Sequence, residues 1–102
     1  MAKKDVKQSL IDQLVARGSD ITLYRDLVDQ YMEFWDMNRI LAADIRKRGV
    51  VYEDYSSVGV KMMKNNGSVN EKIKCSRQML AILTQLGLKA DNVVPKDDDD
   101  RL

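Results

Sequence analysis

The sequence has no histidine and only one cysteine, Cys75, among its 102 residues. Without histidine, catalytic triads with an imidazole base and zinc sites with imidazole ligands are excluded. A single cysteine cannot form an intrachain disulfide, which fits a reducing compartment, so we expect a cytoplasmic protein. We interpret Cys75 as a small packing residue, because it lies near apolar positions of a predicted helix.

Phosphate-binding loops and long apolar runs are also missing. Neither Gly-x-x-x-x-Gly-Lys nor Gly-x-Gly-x-x-Gly occurs, so ATP hydrolysis or dinucleotide binding by these routes is excluded. The longest purely hydrophobic run, residues 79–83, is far shorter than the roughly 20 residues that span a bilayer. We therefore expect no catalytic residues, no cofactor, no metal site and no membrane association.

The composition is that of a folded chain with an acidic end. Hydrophobic residues make up 44% and charged residues 32% of the sequence, which predicts one domain over residues 1–90. The net charge is only +1, so a single copy would gain little from counterion release on nucleic acid. Residues 91–102 contain Pro95 and four consecutive aspartates, and we expect this segment to be a flexible acidic tail.

The sequence predicts a mainly α fold with a long central helix, and glycines lie where the helices should end. The apolar spacing predicts helices that end before Gly18, Gly49 and Gly87, over residues 5–17, 22–48 and 69–86. Ser19 or Asp20 is expected to cap the second helix, and Ser68 with Glu71 to cap the third. Residues 50–63 lose the helical period and predict a short β-hairpin, with strands at 50–52 and 58–62.

The second predicted helix carries a continuous apolar stripe with heptad-like spacing. Its candidate interface residues are Tyr24, Leu27, Val28, Tyr31, Phe34, Trp35, Asn38, Leu41 and Ile45. A helix of this length is about 40 Å long, whereas a compact chain of about 100 residues has a radius of gyration near 13 Å. The other segments cannot cover the whole stripe, so we expect a homo-oligomer. Asn38 either sets register or oligomer number, or lies at the rim or a local bend.

Charged residues offer two further candidate sites. Asp26, Asp29, Glu33 and Asp36 could hold a catalytic metal, but arginines at neighbouring helical positions favour a solvated, ion-paired face. Basic residues are clustered near the chain start, at the end of the long helix together with the hairpin, and in the third predicted helix at Lys72, Lys74 and Arg77. The candidate DNA contacts are Lys3, Lys4, Lys7, Arg46, Lys47, Arg48, Lys61 and Lys64. The aromatic residues of the stripe could stack on bases, but their helical spacing favours packing.

The order of these features resembles the small terminase subunit of tailed bacteriophages over residues 23–93. The resemblance rests on the helical segment Tyr31-Met32-Glu33-Phe34-Trp35, then Gly49-Val50-Val51, a polar insertion with Gly67, a final helix, and Gln85-Leu86-Gly87-Leu88. It implies a non-enzymatic component that recognises double-stranded viral DNA, forms a ring and modulates a large subunit with ATPase and nuclease activity. DNA binding would fall to residues 3–7 or the ring surface, and large-subunit contact to the acidic tail.

Two other functions agree with the same residues. The stripe could serve a helical assembly or adaptor protein that binds protein and not DNA. Residues 10–27 could form a helix-turn-helix regulator, although the second predicted helix is much longer than a recognition helix and its apolar stripe is continuous. Such a regulator should bind as a dimer, whereas the terminase resemblance implies a ring.

Overall fold

The computed structural model describes residues 2–19 and 21–88 as three helices and one hairpin. The elements in chain order are α1 (Lys3–Ala16), α2 (Ile21–Arg48), β1 (Val51–Tyr55), β2 (Lys61–Asn65) and α3 (Gly67–Leu86). The mainly α fold with a long central helix is therefore confirmed. The predicted tail over 91–102 and the predicted cap Asp20 lie outside the described residues. No helix in the described ranges is long and apolar enough to cross a membrane.

Glycines end all three helices, as predicted. Gly18, Gly49 and Gly87 have φ values of 83°, 86° and 75°, in the left-handed region that favours glycine. After α3, the Leu88 amide donates to the Leu83 carbonyl and the Gly87 amide to the Thr84 carbonyl, which is a Schellman motif. Leu88 is buried against the core, so this helix end is fixed by packing as well as by hydrogen bonds.

The start of α3 differs from the prediction. Asn66, and not Ser68, is the cap: its side-chain oxygen accepts from the Ser68 amide at 2.9 Å, and the helix begins at Gly67. The Ser68 hydroxyl instead donates to Asp44 at 2.7 Å. The Ser68 hydroxyl does not cap the helix, because it bonds to a carboxylate of α2 that lies beside the start of α3.

The hairpin is present, but its strands are shifted from the predicted positions. β1 and β2 pair antiparallel, with Val51 opposite Asn65 and Tyr55 opposite Lys61. Residues 58–60 were predicted as strand but lie in the turn, where the Val60 amide donates to the Ser56 hydroxyl oxygen at 3.1 Å. Gly59 has a φ of 86°, which breaks the extended backbone and moves the second strand along the chain.

The core lies at one end of the molecule, where three helices meet. Leu10 and Leu14 of α1, Val28 of α2 and Leu86 of α3 are its most deeply buried side chains. Val6, Met32, Ile82, Leu83 and Leu88 complete the buried cluster. Lys3, the first residue of α1, pairs with Asp36 of α2, so α1 extends only that far along the long helix. From residue 37 onward, α2 packs chiefly against α3, as a layer two helices wide.

The molecule is elongated. Its radius of gyration is 18.0 Å, compared with about 13 Å for a compact chain of about 100 residues. This shape follows from the 28-residue helix α2, which the shorter elements cover unevenly.

Candidate nucleic-acid and assembly surfaces

The apolar stripe of α2 is packed mainly within the chain itself. Val28 is 1% exposed, and Tyr24, Leu27, Tyr31, Phe34 and Trp35 are half-buried against the same core. The stripe faces α1 on one side and α3 on the other. Much of the predicted interface is therefore internal in this conformation, and a neighbouring copy would meet other parts of α2. Whether those copies assemble stays a prediction.

Asn38 connects two helices of the same chain. Its side-chain amide donates to the Ser76 hydroxyl at 3.0 Å, in a half-buried position between α2 and α3. A polar pair at such a contact penalises any slip of one helix along the other, because slipping would leave both groups unpaired. The pair therefore favours the observed register between α2 and α3. Its effect on oligomer number is a separate prediction.

Two apolar grooves run between α2 and α3, on the side of the molecule where α1 begins. Groove A, of about 320 Å³, is lined by Phe34, Met37, Ile40, Leu41, Glu71, Lys74, Cys75 and Gln78. Groove B, also of about 320 Å³, is lined by Ile45, Val69, Lys72, Ile73, Ser76, Arg77 and Leu80. Leu41 and Ile45, both in the predicted stripe, therefore line different grooves. Cys75 is buried, and its thiol donates to the Phe34 carbonyl at 3.0 Å.

The most exposed apolar residues of these grooves lie outside the predicted stripe. Met37 and Ile40 are 48% and 68% exposed in groove A, and Ile73 and Leu80 are 47% and 59% exposed in groove B. The sequence pattern assigns Met37 and Ile40 to the polar face of α2. The signal that could have identified them is that two large apolar residues, three apart, interrupt a face that is otherwise charged.

The predicted DNA contacts near the chain start are largely neutralised. Lys3 pairs with Asp36 at 2.6 Å and Lys7 with Asp29 at 3.2 Å, both across the contact between α1 and α2. Lys4 has no ion-pair partner among the residues that the structure describes. The same pairs occupy two of the four carboxylates considered for a metal. Residues 2–19 and 21–88 contain no acidic or cysteine cluster suited to a metal ion.

Positive charge is concentrated toward the hairpin. Residues 39–80 carry nine basic and four acidic side chains, whereas the described residues before Arg39 carry five and six. Lys61 pairs with Glu53 at 3.1 Å, and Lys64 with Asp54 at 3.0 Å, across the two strands. Arg46 and Lys47, in the last turn of α2, have no ion-pair partner within the described part of the chain. Among the predicted DNA contacts they share this property with Lys4, but only Arg46 and Lys47 lie within the basic region of residues 39–80.

A polar junction fixes the hairpin to both long helices. Asn66, only 2% exposed, donates to the Gly49 carbonyl at 2.9 Å and to Asp44 at 3.1 Å, and accepts from Arg48 at 3.0 Å. Hydrogen bonds from Arg48, Ser68 and Asn66 hold the pKa of Asp44 well below its ordinary value. The Arg48 guanidinium also lies 4.8 Å from the Tyr52 ring centre in β1. The predicted DNA contact Arg48 therefore has a structural role at this junction.

The chain matches a model of a known protein family. A family model described as phage terminase, small subunit, matches residues 4–92 and so includes all five described elements except the first residue of α1. No curated protein and no solved structure gives a significant match.

Proposed function

The chain belongs to the phage terminase small subunit family, and from this premise we propose that it recognises viral DNA as a homo-oligomeric ring and modulates a separate large subunit. Membership of this family supports a role in phage DNA packaging. The observation that carries the DNA-binding part is the excess of basic residues toward the hairpin, with Arg46 and Lys47 lacking local ion-pair partners.

Several copies are needed for this charge to act strongly. The affinity of a protein for duplex DNA depends on how many phosphates it neutralises, and a chain of net charge +1 offers few contacts alone. A ring would repeat Arg46 and Lys47 once per copy and place these cations in a regular array. Phosphate contacts of this kind position DNA, whereas the preference for a particular sequence needs contacts to bases or to DNA shape.

The proposed division of labour leaves the chemistry to the large subunit. This chain contributes DNA recognition, and the large subunit contributes ATP hydrolysis and DNA cleavage, in agreement with the missing phosphate-binding loop. The acidic segment from residue 91 is the proposed contact with that partner. Its net negative charge is opposite in sign to the net positive charge of residues 39–80. The two proposed functions therefore lie in different parts of the chain.

Gel-shift measurements against a duplex from the phage's own packaging-start region test the DNA-binding proposal. At moderate salt, the wild-type oligomer is expected to shift this duplex at lower concentration than an unrelated duplex of equal length. Absence of binding at concentrations where the protein is oligomeric would contradict the proposal and favour a protein-only role.

Replacing Arg46 and Lys47 together by alanine should weaken DNA binding by roughly tenfold or more at 0.15 M salt, because two phosphate contacts per bound copy are lost. The slope of log affinity against log salt should become shallower by about two per contacting copy. Fluorescence anisotropy over a salt series measures both quantities.

The matched control replaces Lys4 and Arg25 by alanine, which removes the same charge from two other exposed cations. This control should bind DNA within about twofold of the wild type, because neither residue lies in the basic region. If the control variant bound DNA more weakly than the variant of Arg46 and Lys47, the DNA-binding surface would lie on α1 and the first half of α2.

Exposed apolar residues in the hairpin favour the protein-only adaptor as a second candidate. Val51, Tyr55 and Met63 share one face of the hairpin by strand pairing, and all three are at least 45% exposed. Such a surface suits a protein partner better than a phosphate backbone. Both candidates predict an oligomer, and only the first predicts binding to DNA.

A further inference from the structure

We propose that groove A of one copy and groove B of the next form a single head-to-tail interface between copies of this chain. The inference deepens the proposed function, since it rests on the oligomeric assembly and names the two surfaces that build it. Its occupant is a second copy of the same chain, and each copy would use both grooves at once.

The two grooves open on opposite faces of one layer. Along α3, groove A is lined at positions 71, 74, 75 and 78, and groove B at positions 69, 72, 73, 76, 77 and 80. Each set repeats at helical spacings of three and four, so the two sets follow different sides of the same helix. Because α1 begins beside Asp36 and runs from there along the first half of α2, neither α1 nor the described hairpin lines either groove.

Each groove exposes apolar residues that a neighbour could cover. In groove A these are Met37 and Ile40 of α2, and in groove B they are Ile73 and Leu80 of α3. Two distinct uncovered faces are what a head-to-tail contact requires, since each copy contributes a different surface to each of its two neighbours. A twofold contact between two A grooves, or between two B grooves, would leave the other face of every copy in water.

The charges around the grooves favour the pairing of A with B. Lys72 and Arg77 line groove B, which includes no acidic residue, and neither has an ion-pair partner in the described ranges. In groove A, Glu71 and Lys74 pair with each other at 3.6 Å. Glu33 lies four and seven residues before Met37 and Ile40, on the same edge of α2, and it is exposed.

Pairing A with B therefore brings Glu33 of one copy toward Lys72 and Arg77 of the next. Pairing B with B would place four cations together, which is unfavourable at short range. A head-to-tail contact also generates a closed ring when the rotation between copies divides a full turn. The same interface thus accounts for a ring without a second contact surface.

A mixing experiment with two variants tests this arrangement. The A variant carries Met37→Lys and Ile40→Lys, and the B variant carries Ile73→Lys and Leu80→Lys. All four positions are at least 47% exposed, so both variants should keep the fold, as circular dichroism can verify. Each variant alone should sediment as a monomer of about 11.7 kDa, because every contact would use one damaged face.

Mixed in equal amounts, the two variants should form a dimer of twice the chain mass and nothing larger. The intact groove B of the A variant would bind the intact groove A of the B variant, and the remaining faces would both be damaged. As a control, Val15→Lys with Leu23→Lys changes two exposed apolar residues outside both grooves and should leave the wild-type mass unchanged.

The results separate this inference from the proposed function. If wild-type protein is oligomeric but the mixture stays monomeric, or if one folded variant alone still forms the full assembly, the pairing of A with B is overturned while DNA binding stands. A monomeric wild-type protein at tens of micromolar would overturn both the inference and the proposed ring.

Discussion

Replacing Leu10 by alanine is expected to lower the free energy of unfolding by about 3 kcal/mol. The Leu10 side chain is fully buried where α1, α2 and α3 meet, and truncation would leave a cavity in the core that the three helices share. Small domains have about 5–15 kcal/mol of stability in total, so a loss of this size is a large share of it. Urea unfolding followed by circular dichroism measures the change.

Val15→Ala is the matched control on the same helix. Val15 is 58% exposed, so truncating it should change the free energy of unfolding by no more than about 0.5 kcal/mol. If the two variants were equally stable, α1 would not be docked through Leu10 as described. In an oligomer, the comparison must be made at one protein concentration, because assembly adds to apparent stability.

Asn66→Ala should lower the free energy of unfolding by about 2–3 kcal/mol, because it removes a helix cap and a buried amide that bonds to partly buried groups of α2 and α3. The Gly49 carbonyl, the Ser68 amide and the Asp44–Arg48 pair all lose a hydrogen bond to this side chain. We also expect the hairpin to open more often, since the same junction holds it at the ends of α2 and α3. Hydrogen exchange of the β1 and β2 amides measures the opening.

Asn65→Ala, one residue earlier, provides the control for this variant. Asn65 is an exposed strand residue whose side chain makes no hydrogen bond to the described residues of the junction, and its replacement should change exchange in the strands only slightly. Equal exchange rates in the two variants would show that the junction does not anchor the hairpin. Protection lost in α1 as well would indicate global unfolding and not release of the hairpin.

Features determined by local chemistry could be predicted from the sequence. The ends of the helices at Gly18, Gly49 and Gly87 follow from the left-handed backbone that glycine adopts easily. The start of α3 could not be placed in this way, because Ser68 fits a local capping pattern while its hydroxyl bonds to Asp44, 24 residues away. Competition between local and distant partners is decided only by the packed structure.

Which candidate surfaces stay exposed is likewise decided only by the packed structure. Periodicity identifies an apolar face of α2, but it cannot tell whether the chain's own helices or a neighbour will cover that face. Val28 is covered internally, whereas Ile40 on another side of α2 is left exposed. Likewise, the charges of Lys3 and Lys7 are evident in the sequence, but their pairing with Asp36 and Asp29 depends on how α1 docks.

We infer that several copies of this chain act together on viral DNA. Sedimentation velocity with a fluorescent duplex from the packaging-start region tests it directly, because it reports both DNA binding and the number of copies bound. We expect one complex that contains several copies per duplex and that forms at lower protein concentration than with unrelated DNA. A duplex that sediments as free DNA, or with a single copy bound, would show that the copies do not act together on DNA.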